Sequence, residues 1–548
     1  MSGSLLIWVL VAPLLGAVAA LFGKLHRPLE RPLAIAAAAS LAVPAVVLAV
    51  LAEPVASGAR LVYSLGGWPE PYGIALLLDG VSWISAALTT AIAAAVVIFS
   101  LGDSRYGAGY YFFLLMMAVG MYGVALTGDL FTMFVCFEVI AVSVYVLIAY
   151  EGTATGLAAS YKYLVLSTTG ILFFLFGIFL VYRDLGVLSI SAVSAALAEE
   201  GGVLDTHVMH LALASLCVGI GVRTAFIPFH TWLPEAHAYA PHPISAVLSG
   251  AMIKISFFAM VRIILELGGD YLMELLMWIG AVTALVAVVS ALAQTDVKRL
   301  LAYHSISQLG YILAVFGAGS ALALTASFSH ALNHALFKSL LFLTVGTAAS
   351  YAGTRNVYRI PPLGRSLPVF SAAFFVGALS ISGIPPFNGF ASKALITAGM
   401  NGSPAYPLLW VTGFLTLASF VKLGRVFLPG PRDARPPKGS HRPGIAETAV
   451  VSALALLCLA TGVFGVPVAG WLHRLLHGGA AGDIPRLFSV GKLLGVVPLA
   501  LLGAGAYAAV STGPGKRLSV SVRAMAPGLR TVLLFFFVGL LAFAAVAY

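Results

Sequence analysis

The sequence predicts an all-α, polytopic membrane protein, and three observations carry that expectation. The 548 residues are 60% hydrophobic and only 9% charged, whereas about a quarter of the residues in a soluble domain are charged. Mean hydropathy is +1.01. Apolar runs of about 20 residues, the length that crosses a hydrocarbon core as a helix, recur from end to end.

The runs lie near residues 4–23, 32–52, 80–101, 110–126, 129–150, 161–182, 207–227 and 243–265 in the first half. They continue near 271–293, 300–319, 321–349, 368–399, 404–427, 444–470, 489–511 and 529–548, which makes about sixteen spans. The first, in MSGSLLIWVLVAPLLGAVAALFGKLHR, has no basic residue ahead of it. It therefore reads as a retained helix and not as a cleaved leader. The longest polar stretches, near 183–206 and 428–443, are loops and not domains.

Alternate loops differ in charge. Lys24, Arg27 and Arg31, then Arg105, Lys298 and Arg299, then Arg355, Arg359 and Arg365 fall on one side. The same side takes Arg432, Arg435, Lys438 and Arg442, and finally Lys516, Arg517 and Arg523. Opposite loops hold Glu53, Glu70, Glu199, Glu200, Asp205, Glu266 and Asp270. The positive-inside rule puts the basic loops in the cytoplasm of a cell membrane and both termini outside. The net charge of +10 is thus a topology signal, and no nucleic-acid partner is expected.

Cys136, Cys217 and Cys458 are far apart within apolar runs. That spacing excludes a disulfide framework, a CxxC redox pair and iron–sulfur ligation by this chain alone. With no GxGxxG fingerprint either, no cofactor is expected.

The informative residues are the charges inside the spans, each costing roughly 2.5–3.5 kcal/mol to insert. Glu138 sits centrally in FTMFVCFEVIAVSVYVLIAY, without a basic residue within a helical turn or two. It reads as a proton carrier or as the partner of a cation on a neighbouring helix. Lys254 occupies the middle of the eighth run, where loss of hydration suits a lysine to taking up and releasing protons. Arg262, nearer the end of that run, reads as an interfacial side chain that reaches for the headgroups. Arg223, five residues before Pro228, reads equally well as an interfacial anchor or an interior charge. In the eleventh run His330, His334 and Lys338 recur at i, i+4 and i+8, one stripe on a helix. Two histidines at that spacing can bind zinc, but no third ligand accompanies them, so the stripe reads as a proton-carrying or hydrogen-bonded one.

Pro385 and Pro386 interrupt the twelfth run just before Lys393, because a proline lacks the N–H that continues a helix. Broken backbone at membrane depth persists only inside protein or beside a wet cavity, so Lys393 is expected to face an ion path. In the seventh run the charge precedes the break, RTAFIPFH; in the twelfth it follows, PPFNGFASK. Interrupted helices at matching places in two halves are a mark of inverted repeats. The expected organisation is N-terminal helices over 1–109, repeats over 110–265 and 271–427, and further helices over 444–548.

Six stretches carry a family resemblance: LGGWPEPYGIALLLDGVS, FVCFEVIAVSVYVLIAY, FIPFHTWLPEAHAYAPHPISAVLSGAMIKI, QTDVKRLLAYHSISQLGYI, HALNHALFKSLLFL and GIPPFNGFASK. Across about residues 65–425 the chain resembles the antiporter-like subunits of respiratory complex I, membrane-bound hydrogenases and Mrp-type sodium/proton antiporters. It leans towards the Mrp D and hydrogenase branch. The resemblance implies a fourteen-helix core with two inverted five-helix repeats, leaving about two C-terminal helices over. It implies a proton-translocating role within a multi-subunit complex, with sodium exchange and redox-driven pumping as the alternatives, and other membrane subunits as partners. It also implies a mid-membrane proton path in which Glu138 matches the helix-five glutamate and Lys254 the helix-eight lysine. His330, His334 and Lys338 match helix eleven, and Lys393 matches the helix-twelve lysine near the outward exit. Arg223 departs from the family at the position of its helix-seven lysine. An arginine keeps its proton in a protein, so Arg223 is expected to act as a counter-charge to Glu138.

Overall fold

The structure, a computed structural model, describes residues 3–68, 73–199, 206–430, 441–524 and 529–546. Among the loop charges read from the sequence, Glu70, Glu200, Asp205, Arg432, Arg435 and Lys438 lie outside the described residues. The fold is almost wholly helical, apart from one antiparallel ribbon pairing Leu61–Ser64 with Ala75–Leu78 between the second and third spans.

Among the described residues, 13 helices are long and apolar enough to cross a membrane. The other three runs read from the sequence are also helical. The tenth, Val297–Phe316, is long enough but is diluted by Lys298, Arg299, His304 and Gln308. The twelfth is split into Pro368–Ser382 and Asn388–Gly399. The last, Leu529–Ala545, has 17 residues.

Several spans start at a residue that caps them. Asp79 Oδ1 accepts from Ser82 N at 2.9 Å, Asp129 Oδ1 from Thr132 N at 2.6 Å and Asp296 Oδ1 from Lys298 N at 2.9 Å. Each cap satisfies one of the amide donors that a helix leaves free at its start.

Where the sequence suggested unbroken runs, four spans bend, the fifteenth at Gly495 between Val490–Leu494 and Val496–Ser511. The second divides at Ser40–Leu41 into Glu30–Ala39 and Ala42–Ala56. The eighth carries a π-turn, Leu248–Met252, between His242–Val247 and Ile253–Glu266. The fourteenth ends at Val463, and a short amphipathic helix, Gly465–Leu476, follows it. The seventh breaks as expected. Thr206–Thr224 gives way at Ala225, whose φ is 61°, to a 3-10 turn over Phe229–Trp232 and then to Leu233–Tyr239.

Burial locates the centre of the bundle. The most apolar stretch of span eight is 100% buried within the chain, and those of spans seven and eleven are 83% buried; that of span fifteen is 6% buried. The centre is therefore built from spans rich in His, Lys and Arg, and span ten, which carries Lys298, Arg299 and His304 and is buried along almost its whole length, belongs to it too. Small residues let it close. A Cβ on Gly280 would lie 2.3 Å from Ala314 N, and one on Gly310 2.4 Å from Ala284 N, so spans nine and ten touch backbone to backbone. Span eight approaches span eleven in the same way at Gly346, where a Cβ would lie 2.2 Å from that of His242.

The C-terminal helices wrap the core. Val496–Ser511 packs on span thirteen, where a Cβ on Gly503 would lie 2.9 Å from a Leu417 methyl. A connecting helix, Gly513–Ala524, follows, and Arg523 Nη1 donates to Thr295 Oγ1 at 3.3 Å. Leu529–Ala545 then returns to spans six and seven, with the Phe536 ring 5.9 Å from Phe173 and 5.4 Å from Phe229.

The contact between spans nine and ten makes a prediction. Gly310→Val forces two backbones apart and should cost about 1–3 kcal/mol, read as earlier thermal aggregation in detergent. Gly505→Val, at a position with nothing within 4 Å, should leave the aggregation temperature unchanged.

Candidate functional site

The interior cations share one solution to their burial. Where a helix ends, breaks or swells, backbone carbonyls are released from the regular ladder, and these carbonyls receive most of the ammonium and guanidinium groups. Lys254 Nζ donates to Ser249 O in the π-turn of its own span. Lys393 Nζ donates to Ile381 O at 2.8 Å, a carbonyl freed where the first half of span twelve stops. Lys422 Nζ donates to Leu292 O at 2.9 Å and also to Gln294 O, both at the end of span nine. Lys298 Nζ reaches Ala240 O where span seven finishes, and the part-exposed Arg355, already paired with Asp296 Oδ2 at 3.1 Å, reaches Ala238 O beside it. The C-terminal end of a helix is its negative end, so each of these contacts gains from the dipole as well. Lys338 Nζ reaches across to Leu301 O on span ten.

Arg223 and Glu138 use a different solution, an ion pair. Arg223 Nη2 donates to Glu138 Oε1 at 3.0 Å, and the guanidinium lies 4.9 Å from the Phe137 ring centre. Arg223 is 2% exposed, which settles its reading in favour of an interior charge, while the Glu138 side chain is 40% exposed at the chain's flank. A pair at this spacing is worth on the order of 4 kcal/mol at an effective dielectric of about 20, enough to offset the insertion cost of an arginine. Exposure of the carboxylate screens part of that gain. Nε and Nη1 of Arg223 and the Tyr163 hydroxyl have no hydrogen-bond partner among the described residues.

Between these cations runs a line of buried imidazoles and hydroxyls. His330 Nδ1 meets Ser392 Oγ at 2.9 Å and its Nε2 meets Gln308 Oε1 at 3.1 Å. The His334 ring stacks 6.4 Å from that of His330. Ser249 Oγ and Ser305 Oγ are 2.7 Å apart, joining the Lys254 turn to span ten. Both ring nitrogens of His237, His304 and His334 make no hydrogen bond among the described residues. Buried imidazoles without protein partners are free to exchange protons with water or with each other.

All seven residues read as a path, Glu138, Arg223, Lys254, His330, His334, Lys338 and Lys393, fall in or beside this interior line. Arg262 does not behave as expected. It is 5% exposed, and its Nη2 donates to Asp79 Oδ1 at 2.6 Å and Ser82 Oγ at 2.9 Å, tying span eight to the start of span three. Lys298, read as a loop charge, is 6% exposed and points into the core. Sequence reading also missed His304, Gln308 and Lys422, all buried. For His304 and Gln308 a signal existed, since they recur at i, i+4 in the tenth run beside Ser305 and Ser307.

Comparison with known proteins places these features. Residues 127–419 match the family model described as NADH:quinone oxidoreductase/Mrp antiporter, TM. NADH-quinone oxidoreductase subunit N of Desulforudis audaxviator is 33% identical over 464 residues, covering 81% of this chain and 91% of that protein. The Na(+)/H(+) antiporter D subunit of Bacillus subtilis is 27% identical over 441 residues, covering 79% and 88%. Among solved structures, a chain of the Mrp complex from Dietzia superposes with a TM-score of 0.78 at 25% identity, covering 86% of this chain and 96% of that one. A chain of the archaeal membrane-bound sulfane sulfur reductase gives the same TM-score at 26% identity, covering 91% and 99%.

The ion pair generates a stability prediction. Glu138→Gln leaves a buried guanidinium unpaired and should cost about 1–3 kcal/mol, below the usual loss for a fully buried pair because Glu138 is partly exposed. Thermal unfolding in detergent measures it, and the double variant Glu138→Gln/Arg223→Met should recover part of the loss.

Proposed function

The chain belongs to the NADH:quinone oxidoreductase/Mrp antiporter transmembrane family, and from that premise we propose that it is the proton-translocating membrane subunit of a multi-subunit complex. The observation that carries the reading is the cluster of buried lysines and imidazoles at the centre of the bundle, its lysines held by carbonyls and not by fixed counter-ions. A lysine held by a carbonyl can lose its proton without stranding a carboxylate, so Lys254, Lys338 and Lys393 suit proton exchange. Arg223 cannot titrate, and in this reading it sets the charge state of Glu138 while the proton passes to Lys254. From there it moves through His334 and His330 towards Lys393.

Glu138 gives the path its control point. Its carboxylate faces the flank of the chain, where a charge on an adjacent membrane protein of the complex would act on it directly. A change there would strengthen or loosen the Arg223 pair and so alter the field at Lys254, a two-state electrostatic coupling. The basic loops lie on the cytoplasmic side and both termini outside, and residues 110–265 and 271–427 form the two repeats around the broken seventh and twelfth spans.

The energy source separates two versions of this function. The sodium/proton antiporter proteins among the relatives favour exchange driven by ion gradients. The 33% identical quinone oxidoreductase subunit and the sulfane sulfur reductase favour pumping driven by electron transfer on partner subunits. Copurification from native membranes in mild detergent decides between them. Partners bearing iron–sulfur centres indicate the redox-driven pump, and small membrane partners alone indicate the antiporter.

Two variants test the path in the reconstituted complex. Lys254→Met should lower proton flux at least ~10-fold without loss of assembly, and wild-type flux in this variant would refute the role given to Lys254. Arg223→Lys replaces a permanent charge with a titrating one and should add a pH dependence to transport, measured as flux against pH at fixed ion gradient.

A further inference from the structure

We propose that His473 and His477 form the mouth of a proton path on the face opposite the basic loops, and that Thr325 and the cavity beneath it carry protons between this mouth and His330. The inference rests on the proton-translocating reading above and gives the path a second outer mouth, besides the exit that the family resemblance implies near Lys393.

The two histidines lie on and just after the short helix Gly465–Leu476, their rings 4.2 Å apart. Both turn towards the start of span eleven. The Thr325 hydroxyl is 2.9 Å from His473 Nδ1 and 3.4 Å from His477 Nε2, and His477 Nε2 is 3.2 Å from Ala321 O. Thr325 is fully buried and His473 is 9% exposed, whereas His477 is partly open to solvent. Two imidazoles therefore converge on one buried hydroxyl at the outer end of the helix that carries His330, His334 and Lys338.

One turn further in stands Ser329, at i+4 from Thr325 and so on the same face. Its hydroxyl is buried and makes no hydrogen bond among the described residues. It lines a cavity of 200 Å³ together with Asn333, Ser392, Thr461 and Leu472, the residue before His473. That volume has room for several waters; its wall is mostly apolar, with Leu88, Leu332, Leu336 and Leu395 among the lining, and the polar groups of Ser329, Asn333, Ser392 and Thr461 are the points at which water would be held. Ser392, on the far side, is the residue whose Oγ meets His330 Nδ1 at 2.9 Å. Hydroxyl, cavity and imidazole thus form a line from the surface to the centre. Lys393 opens elsewhere, into a separate cavity of 260 Å³ lined by Tyr311, Tyr406 and Lys492.

The electrostatics allow the pair to relay. Partial burial, and then the neighbouring His477, hold the His473 imidazolium below its ordinary range, so His473 is neutral at neutral pH and can accept a proton. Around the pair, Arg474 lies 3.8 Å from Glu53 on span two, and Asp79 at the start of span three is already taken by Arg262. Lys393 on span twelve is held by Ile381 O. None of these leaves a carboxylate on the histidines, so a proton reaching them is not trapped. As the outer face is acidified past the ordinary imidazole range, His473 becomes protonated and can no longer accept from within, so release should slow there.

The test uses the intact complex, purified from native membranes and reconstituted in vesicles, with proton flux recorded while the pH at the His473 face is varied. His473→Gln/His477→Gln should assemble, lower flux by at least ~5-fold and abolish its fall on acidification of that face. Thr325→Val should reproduce the loss of flux and Thr325→Ser should restore it, a contrast that decides the matter if the double variant does not assemble. An assembled double variant with wild-type flux and pH profile overturns the proposal, as does equal loss in Thr325→Val and Thr325→Ser. Wild-type vesicles that move no protons would instead overturn the functional reading on which the proposal stands.

Discussion

A cation at the depth of a bilayer must be surrounded by something better than hydrocarbon, and in this chain the surrounding is mostly the backbone itself. A soluble protein faced with a buried lysine would supply a carboxylate. Here acids are scarce, 20 against 30 bases, and the two that meet Arg223 and Arg262, Glu138 and Asp79, are taken by them. The carbonyl ends of broken helices serve in their place, because a carbonyl stabilises a charge without carrying one. The breaks in spans seven, eight and twelve are therefore not defects in the bundle. The breaks in spans eight and twelve are the sites at which Lys254 and Lys393 become tolerable, and the end of span seven does the same for Lys298.

This arrangement bears on mechanism. A lysine–carboxylate pair deep in protein resists losing its proton, since the acid would be left alone at several kcal/mol. A lysine on a carbonyl has no such anchor, so its protonation can follow small changes in field. The one strong pair in the line, Glu138 with Arg223, sits at the flank where another subunit can reach it. Fixed charge at the edge and titrating charge in the middle is a division of labour suited to transmitting an electrostatic signal inward.

Much of the fold was legible in the sequence, because hydropathy at span length is a strong signal and the charge of the loops confirms the count. The interior charges were legible for the same reason: Glu138, Lys254, His330, His334, Lys338 and Lys393 stand out against apolar neighbours. What escaped was context. Arg262 looked interfacial because its partner, Asp79, is 183 residues away and reads as an ordinary helix cap. Lys298 looked like loop charge because it adjoins Arg299, although only the latter stays near the surface. The π-turn at Leu248–Met252 leaves no mark in composition, although Gly250 within it lies against Ser339 of span eleven. The pair His473 and His477 went unread because it lies beyond the stretches that carry the family likeness.

The last helix places the ring of Phe536 against Phe229, inside the break of span seven, and brings Gly539 onto the same ring. That packing has a consequence for biosynthesis. A ribosome inserts spans in order, so the Phe229 face of the break in span seven stays uncovered while spans eight to fifteen are made, and is covered only when this helix follows them.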